Sequence, residues 1–268
     1  MVLLDGCTLA ARQETADNNG PLGNGIDRAV NTFQGCSHQY SALNALCVAD
    51  GRDRHVDPAA GAREGLAHQC GEALARIHGI DVEALPALRR APPAVELAHY
   101  EAQYRSHGLH KPVFELALQW LKTHGPTDSG RLGLVHGDFR NGNLIVGENG
   151  LRAVLDWELA HLGDPMEDLG WLCVNSWRYG RHELPVGGFG TREQLFAGYA
   201  EAGGVVDAAR VHYWEVLGTL KWGVICQSMA QAYLTGAERT LERVAIGRRA
   251  SEAEIDLLVL LAPRAKAA

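Results

Sequence analysis

The chain has 268 residues, of which 46 % are apolar and 21 % charged, with a formal net charge of −7. That is enough chain for one large or two modest domains, in a composition ordinary for a soluble globular protein. The acidic balance (pI ≈ 5.9) argues against a nucleic-acid binder, which carries a basic face.

Residues 1 to 61 carry little pattern. MVLLDG and NALCVADG have the composition of short strands, but the polar, glycine-rich stretch between them keeps neither a two-residue nor a 3.6-residue period. From Ala62 the character changes. AREGLAHQCGEALARIHG places Leu66, Cys70, Leu74 and Ile77 at helical spacing. PAVELAHYEAQYRSHG predicts a second helix. PVFELALQWLKTHG predicts a third, with Pro112 in the first turn, where proline is tolerated. RLGLVHG and NLIVGENGLRAVLDW read as strands. Helices follow again: one from Thr191 with Gln194 as a capping box, a long one capped by Asp207, and one whose Ser251 and Glu254 repeat the box.

The six cysteines are scattered with no CxxC pair, which predicts free, mostly buried thiols in a reducing compartment. The first residues lack a basic segment followed by a long apolar core, so no signal peptide is expected. The most apolar long segment, VLGTLKWGVICQSMA, holds Lys221 and Gln227 and follows Glu215; it predicts a buried helix, not a membrane span. Lys221 itself reads as a solvated, snorkelling lysine, with pairing to Glu215 or a place facing the cleft as the alternatives. A cytoplasmic protein without membrane or nucleic-acid partners is the expectation.

LVHGDFRNGNLIV, residues 134–146, breaks an apolar strand into a polar loop and then resumes it. Asn149-Gly150 is a strong two-residue hairpin signal, because both residue types tolerate positive φ. Counting outward from that turn sets Asn143 opposite Asp156, on a pairing that brings Cβ atoms to about 4.5–5.5 Å. An amide oxygen and a carboxylate placed together suit a hard cation such as Mg²⁺. Asp138, on the loop entering the hairpin, is placed to orient or deprotonate an attacking hydroxyl. Alone, each residue reads more simply as a turn cap or strand end; the three in one register carry the functional reading.

HGDFRNGN resembles the HGDxxxxN catalytic loop of aminoglycoside-phosphotransferase-like enzymes, relatives of the protein kinases. VLDWE and HLGDPMEDL resemble the segments that follow in that family. GEALARIHGID and YWEVLGTLKWGV resemble flanking helices of the subgroup that includes the kinase-like domain fused to some acyl-CoA dehydrogenases. The resemblance covers residues 62 to about 260. It implies an α+β, protein-kinase-like fold represented mostly by the helical C-terminal lobe with a small catalytic β-hairpin. It implies ATP and Mg²⁺ as cofactors and a small-molecule hydroxyl as phosphoryl acceptor. Asp138 is then the catalytic residue, His136, Asn143 and Asp156 belong to the cofactor site, and Asn143 and Asp156 hold the metal. His136 more simply shapes the loop. Asp168 holds the loop in shape, and Glu158 lies close enough to touch the metal shell or a substrate cation. The subgroup tilts the acceptor toward a hydroxyacyl-type or unassigned compound rather than an antibiotic.

The family's N-terminal lobe supplies a strand lysine that grips the α/β-phosphates. Here the first lysine is Lys111, already in the helical part. NNGPLGNG is a weak candidate for a phosphate loop, and Arg28 does not replace a lysine unchanged. Residues 1–61 are therefore read as an atypical, reduced or frame-shifted N-terminal region, and 62–268 as the catalytic lobe. A frame-shifted start is favoured over a genuinely reduced lobe and over a nucleotide site completed by a homodimer or partner chain. Two functions compete: an ATP/Mg-dependent phosphotransferase, and an inactive remnant or binding module of the same fold. A metal-dependent hydrolase using Asp138 and Asp156 is a third reading.

Overall fold

The computed structural model describes residues 2–3, 63–126 and 132–262. The expectations for NALCVADG, NNGPLGNG, Arg28 and nearly all of residues 1–61 lie outside the described residues.

Two small sheets carry the functional loops, and helices enclose them. Strand β1 (Val2–Leu3) pairs antiparallel with β5 (Gly150–Val154), which pairs antiparallel with β4 (Leu144–Gly147). In the second sheet, β6 (His161–Gly163) lies between β2 (Arg90–Ala91), parallel to it, and β3 (Gly133–Val135), antiparallel. The chain crosses from the second sheet to the first between β3 and β4, and returns between β5 and β6. Asp138 and Asn143 lie on the outward crossing and Asp156 on the return, so the topology sets the two segments side by side.

The predicted helices form where the spacing placed them. Helix α1 (Leu66–His78) buries Leu66, Cys70, Leu74 and Ile77. Helix α2 (Pro93–Ser106) and helix α3 (Pro112–His124) each begin on the proline that needs no amide partner. Helix α4 (Met166–Cys173) is buried over its whole length, and α5 (Arg192–Glu201) starts in a complete Thr191/Gln194 capping box. Helix α6 (Ala208–Leu234) is the longest, with Asp207 accepting from the amides of Ala209 and Arg210 at 3.0 and 3.1 Å. Helices α7 (Leu241–Gly247) and α8 (Ala250–Leu261) pack back on α6. The Ser251 box is a correction: α8 begins one residue earlier with no side-chain cap, Ser251 bonds the Arg248 carbonyl, and Glu254 is drawn off by Lys111.

Helix α1 packs against α5, and α4 against α6. The first crossing is backbone on backbone. A Cβ on Gly71 would overlap the Leu195 carbonyl, and one on Gly198 would overlap that of His68. The main core joins both helix pairs through Leu74, Leu118, Leu169, Leu195, Leu217 and Leu220. Each fully buried leucine there contributes about 1.5–3 kcal/mol relative to exposure. Cys70, Cys173 and Cys226 are free and buried. No helix among the described residues is long and apolar enough to cross a membrane.

Candidate active site

The hairpin forms, with its turn one residue earlier than predicted. Gly147 pairs with Gly150, leaving Glu148 and Asn149 as the loop, and the register shifts between Ile145 and Val146. Leu144 then faces Val154, and Leu155 N donates to Asn143 O at 2.8 Å. Asn143 is therefore opposite Leu155, not Asp156. Asp156 turns out of the strand with φ 65° and ψ 64°, capping a 3₁₀ turn at Trp157–Leu159. Asp is among the few side chains that adopt this left-handed region, and such strain is common at functional sites.

The loop between the sheets is held from inside. Asp168, at the start of α4, accepts the amides of His136 and Gly137 at 2.8 and 2.9 Å and the ring of His78 at 3.1 Å. Burial opposes its charge. The His78 hydrogen bond and charge and the His136 amide outweigh burial and hold its carboxyl below the usual carboxylate range. His136 is wholly buried. Its Nδ1 accepts from the Asp138 amide at 3.2 Å and its Nε2 donates to Leu155 O at 2.9 Å, so it links the two crossings rather than facing the loop's open side. Asn141 Nδ2 reaches the carbonyls of Trp177 and Gly187.

Asp138 is the focus of this arrangement. Asn143 Nδ2 donates both to its backbone oxygen and to Oδ2, each at 2.8 Å. Trp171 Nε1 donates to Oδ1 at 2.8 Å, and Arg140 Nε reaches both oxygens at 3.0 and 3.1 Å. Using the amide nitrogen in this way leaves Asn143 its oxygen, the half a cation takes. Glu158 stands exposed at the same mouth. Partial withdrawal of its carboxyl from water, then the carboxylates of Asp156 and Asp138, push its pKa up, which puts three carboxylates within electrostatic reach of one another.

Lys221 corrects the sequence reading. It is buried, its Nζ donates to Gly137 O at 3.0 Å, and it lies 4.5 Å over the ring of Trp171 and 5.5 Å over that of Tyr100. Burial works against its charge, but Tyr100, Glu167, Glu96 and Asp138 outweigh burial and raise its pKa. Glu215, the suggested partner, pairs instead with Arg178 and Arg192 at 3.1 and 2.6 Å. A cation in a mostly apolar stretch of helix was the visible signal; its target lies on a different segment. Asp164, two residues before α4, accepts from Met166 N and from Arg210 and Trp214.

Among the described residues no group of three or more His, Cys, Asp or Glu side chains is arranged to hold a metal. Asn143 and Asp156, the expected metal ligands, lie on the two neighbouring crossings; an amide oxygen and a carboxylate are hard donors of the sort that suit Mg²⁺.

A family model described as APH, phosphotransferase enzyme family, matches residues 28–205. The match begins upstream of the Ala62 boundary read from the sequence. Acyl-CoA dehydrogenase family member 10 of Mus musculus is 36 % identical over 119 residues, covering 42 % of this chain and 11 % of that protein. Family member 11 of Homo sapiens is 24 % identical over 185 residues, covering 62 % and 23 %. The chain thus spans less than a quarter of the length of either relative. Among solved structures, a choline/ethanolamine kinase family protein from Mesorhizobium loti superimposes with a TM-score of 0.54 at 19 % identity, covering 90 % of this chain and 81 % of the other. A spectinomycin phosphotransferase solved with ADP and spectinomycin gives 0.50 at 16 % identity, over 73 % and 65 %.

Proposed function

Because this chain belongs to the APH phosphotransferase enzyme family, we propose that it moves the γ-phosphoryl group of ATP to a hydroxyl of a small molecule. The observation that carries this reading is the placement of Asp138. It sits on a loop fixed between two sheets, with Asn143 bonded to it and the Asp156 crossing tied alongside.

Asp138 accepts the hydroxyl proton as the acceptor oxygen attacks. Trp171 and Asn143 set the direction of its carboxylate, so little reorganisation is needed at the moment of reaction. Asn143 and Asp156 would hold Mg²⁺ through oxygen, and the ion would supply neutralisation of charge on the donor phosphates. Asp168 and His136 keep the loop in shape from behind. Residues 62–268 form the catalytic lobe in this reading, and residues 1–61 stand where the nucleotide lobe belongs.

A second reading, an inactive remnant of the same fold, is favoured by one observation. No lysine precedes Lys111. Lys111 pairs with Glu254, Lys122 with Glu101, and Lys221 is buried behind the loop, so none of these grips a phosphate. Calorimetric titration with Mg-ATP separates the two. Saturable binding that disappears in Asp156→Ala supports the phosphotransferase; no heat at millimolar ATP leaves only the remnant.

A further inference from the structure

A carboxylate offers about four acceptor positions. Three N–H groups cover those of Asp138: Trp171 Nε1 on Oδ1, Asn143 Nδ2 on Oδ2, and the single Nε–H of Arg140 shared between the two oxygens. A hydroxyl that is to lose its proton to Asp138 must displace one of these donors. Trp171 cannot yield easily. It is buried in α4, with the Lys221 ammonium on its face and Trp177 against it at 5.0 Å between ring centroids. Asn143 is buried and anchored as well to the Asp138 carbonyl.

Arg140 differs from both. Its side chain is long and 13 % exposed, and it lies at the outer edge of the carboxylate. Its guanidinium rests 5.0 Å over the Trp177 ring. It also fills the space beside Gly142, where a Cβ would overlap its Nη1. The seat is specific, yet it can be vacated by rotation of one side chain. A guanidinium leaving a carboxylate in a half-buried site needs another anion to receive it. Its planar fork suits phosphate or carboxylate oxygens.

We propose that Arg140 is a displaceable cap on the catalytic carboxylate, released when an oxyanion of an arriving ligand takes over its guanidinium. The inference rests on the reading of Asp138 given above. The oxyanion comes either from the terminal phosphate of the nucleotide or from an acid group on the acceptor. With the cap in place the base is engaged and no acceptor is activated. With the cap drawn away, one oxygen of Asp138 is open to the hydroxyl.

The test follows the Nε–H of Arg140 by NMR in the full chain labelled with ¹⁵N-arginine, its resonance identified by loss in Arg140→Lys. Mg²⁺ with a non-hydrolysable ATP analogue, inorganic phosphate and acetate are added separately, with calorimetry in parallel. The expected result is a protected proton in the free protein. A binding ligand shifts its resonance, as the bond to Asp138 is exchanged for one to the ligand's oxyanion. A response to the analogue or to phosphate assigns the nucleotide as the source; a response to acetate alone assigns the acceptor. In Gly142→Ala the added methyl crowds the guanidinium, so protection falls without any ligand. Saturable heat with an unmoved Arg140 resonance overturns the cap and leaves the phosphotransferase reading intact. No heat with any ligand overturns both.

Discussion

Replacing Lys221 by methionine removes a buried ammonium while keeping most of the stem volume, so the cost is electrostatic rather than a cavity. The ammonium lines a narrow cavity of about 10 Å³ with Glu96, Tyr100, Glu167 and Trp171. That is near the lower limit for one water, so bulk solvent does not screen the loss. Removing one partner from a buried charge set costs about 3–5 kcal/mol. Arg89 remains beside Glu96 and His161 beside Glu167, which places this case at the lower end. The lost bond to Gly137 O is made by the same ammonium and is not added separately. For a domain of this size, about 3–4 kcal/mol corresponds to a fall in Tm of about 6–16 °C. Urea unfolding of both forms at pH 7 gives the number. A companion variant sharpens it. Glu167→Gln combined with Lys221→Met should lose less stability than the two single losses summed, because the stranded carboxylate is gone. A loss below about 1 kcal/mol, or strict additivity, would refute the claim that this lysine is a buried counter-charge.

Three further outcomes are expected. Asp168 is held below the usual carboxylate range, so its contribution is present above the unfolded value and is lost as pH falls through the folded one. Stability should drop on acidification below about pH 4, and Asp168→Asn should flatten that limb of the urea-midpoint profile. Burial opposes the charge of His161, yet its bond to Glu167 and the charges of Glu167 and Glu96 raise its pKa. Its contribution is therefore complete below the unfolded value of about 6.5 and fades as pH rises through the folded one; His161→Gln should remove that slope between neutral and alkaline pH. Asp138→Asn should keep Mg-ATP binding in calorimetry while phosphoryl transfer falls by about 10²–10⁴-fold, the usual scale for a positioned base. Equal loss of binding and turnover would count against its assigned role.

The helices were readable because their signals are local: apolar spacing in α1, prolines at the starts of α2 and α3, and side-chain caps on α5 and α6. The hairpin was readable too, but not its turn. Gln69 of α1 decides that, donating to Asn149 O at 3.2 Å and accepting Leu151 N at 2.7 Å. It lies where a Cβ on Gly150 would be, and Gly150 takes φ +98°. A contact across 80 positions of chain thus overrode the dipeptide preference. Strand β6 went unread because three residues are too short for a period, and its parallel partner β2 has only two. In the candidate site, the identities of Asp138, Asn143 and Asp156 were legible from the loop motif. The roles of Arg140, Trp171 and Lys221 were not, since each depends on which groups meet across the lobe.

The anchors of the 136–143 loop come from α1, α4 and α6: His78, Asp168, Trp171 and Lys221. The loop therefore arrives prefabricated, and a ligand spends none of its affinity on folding it.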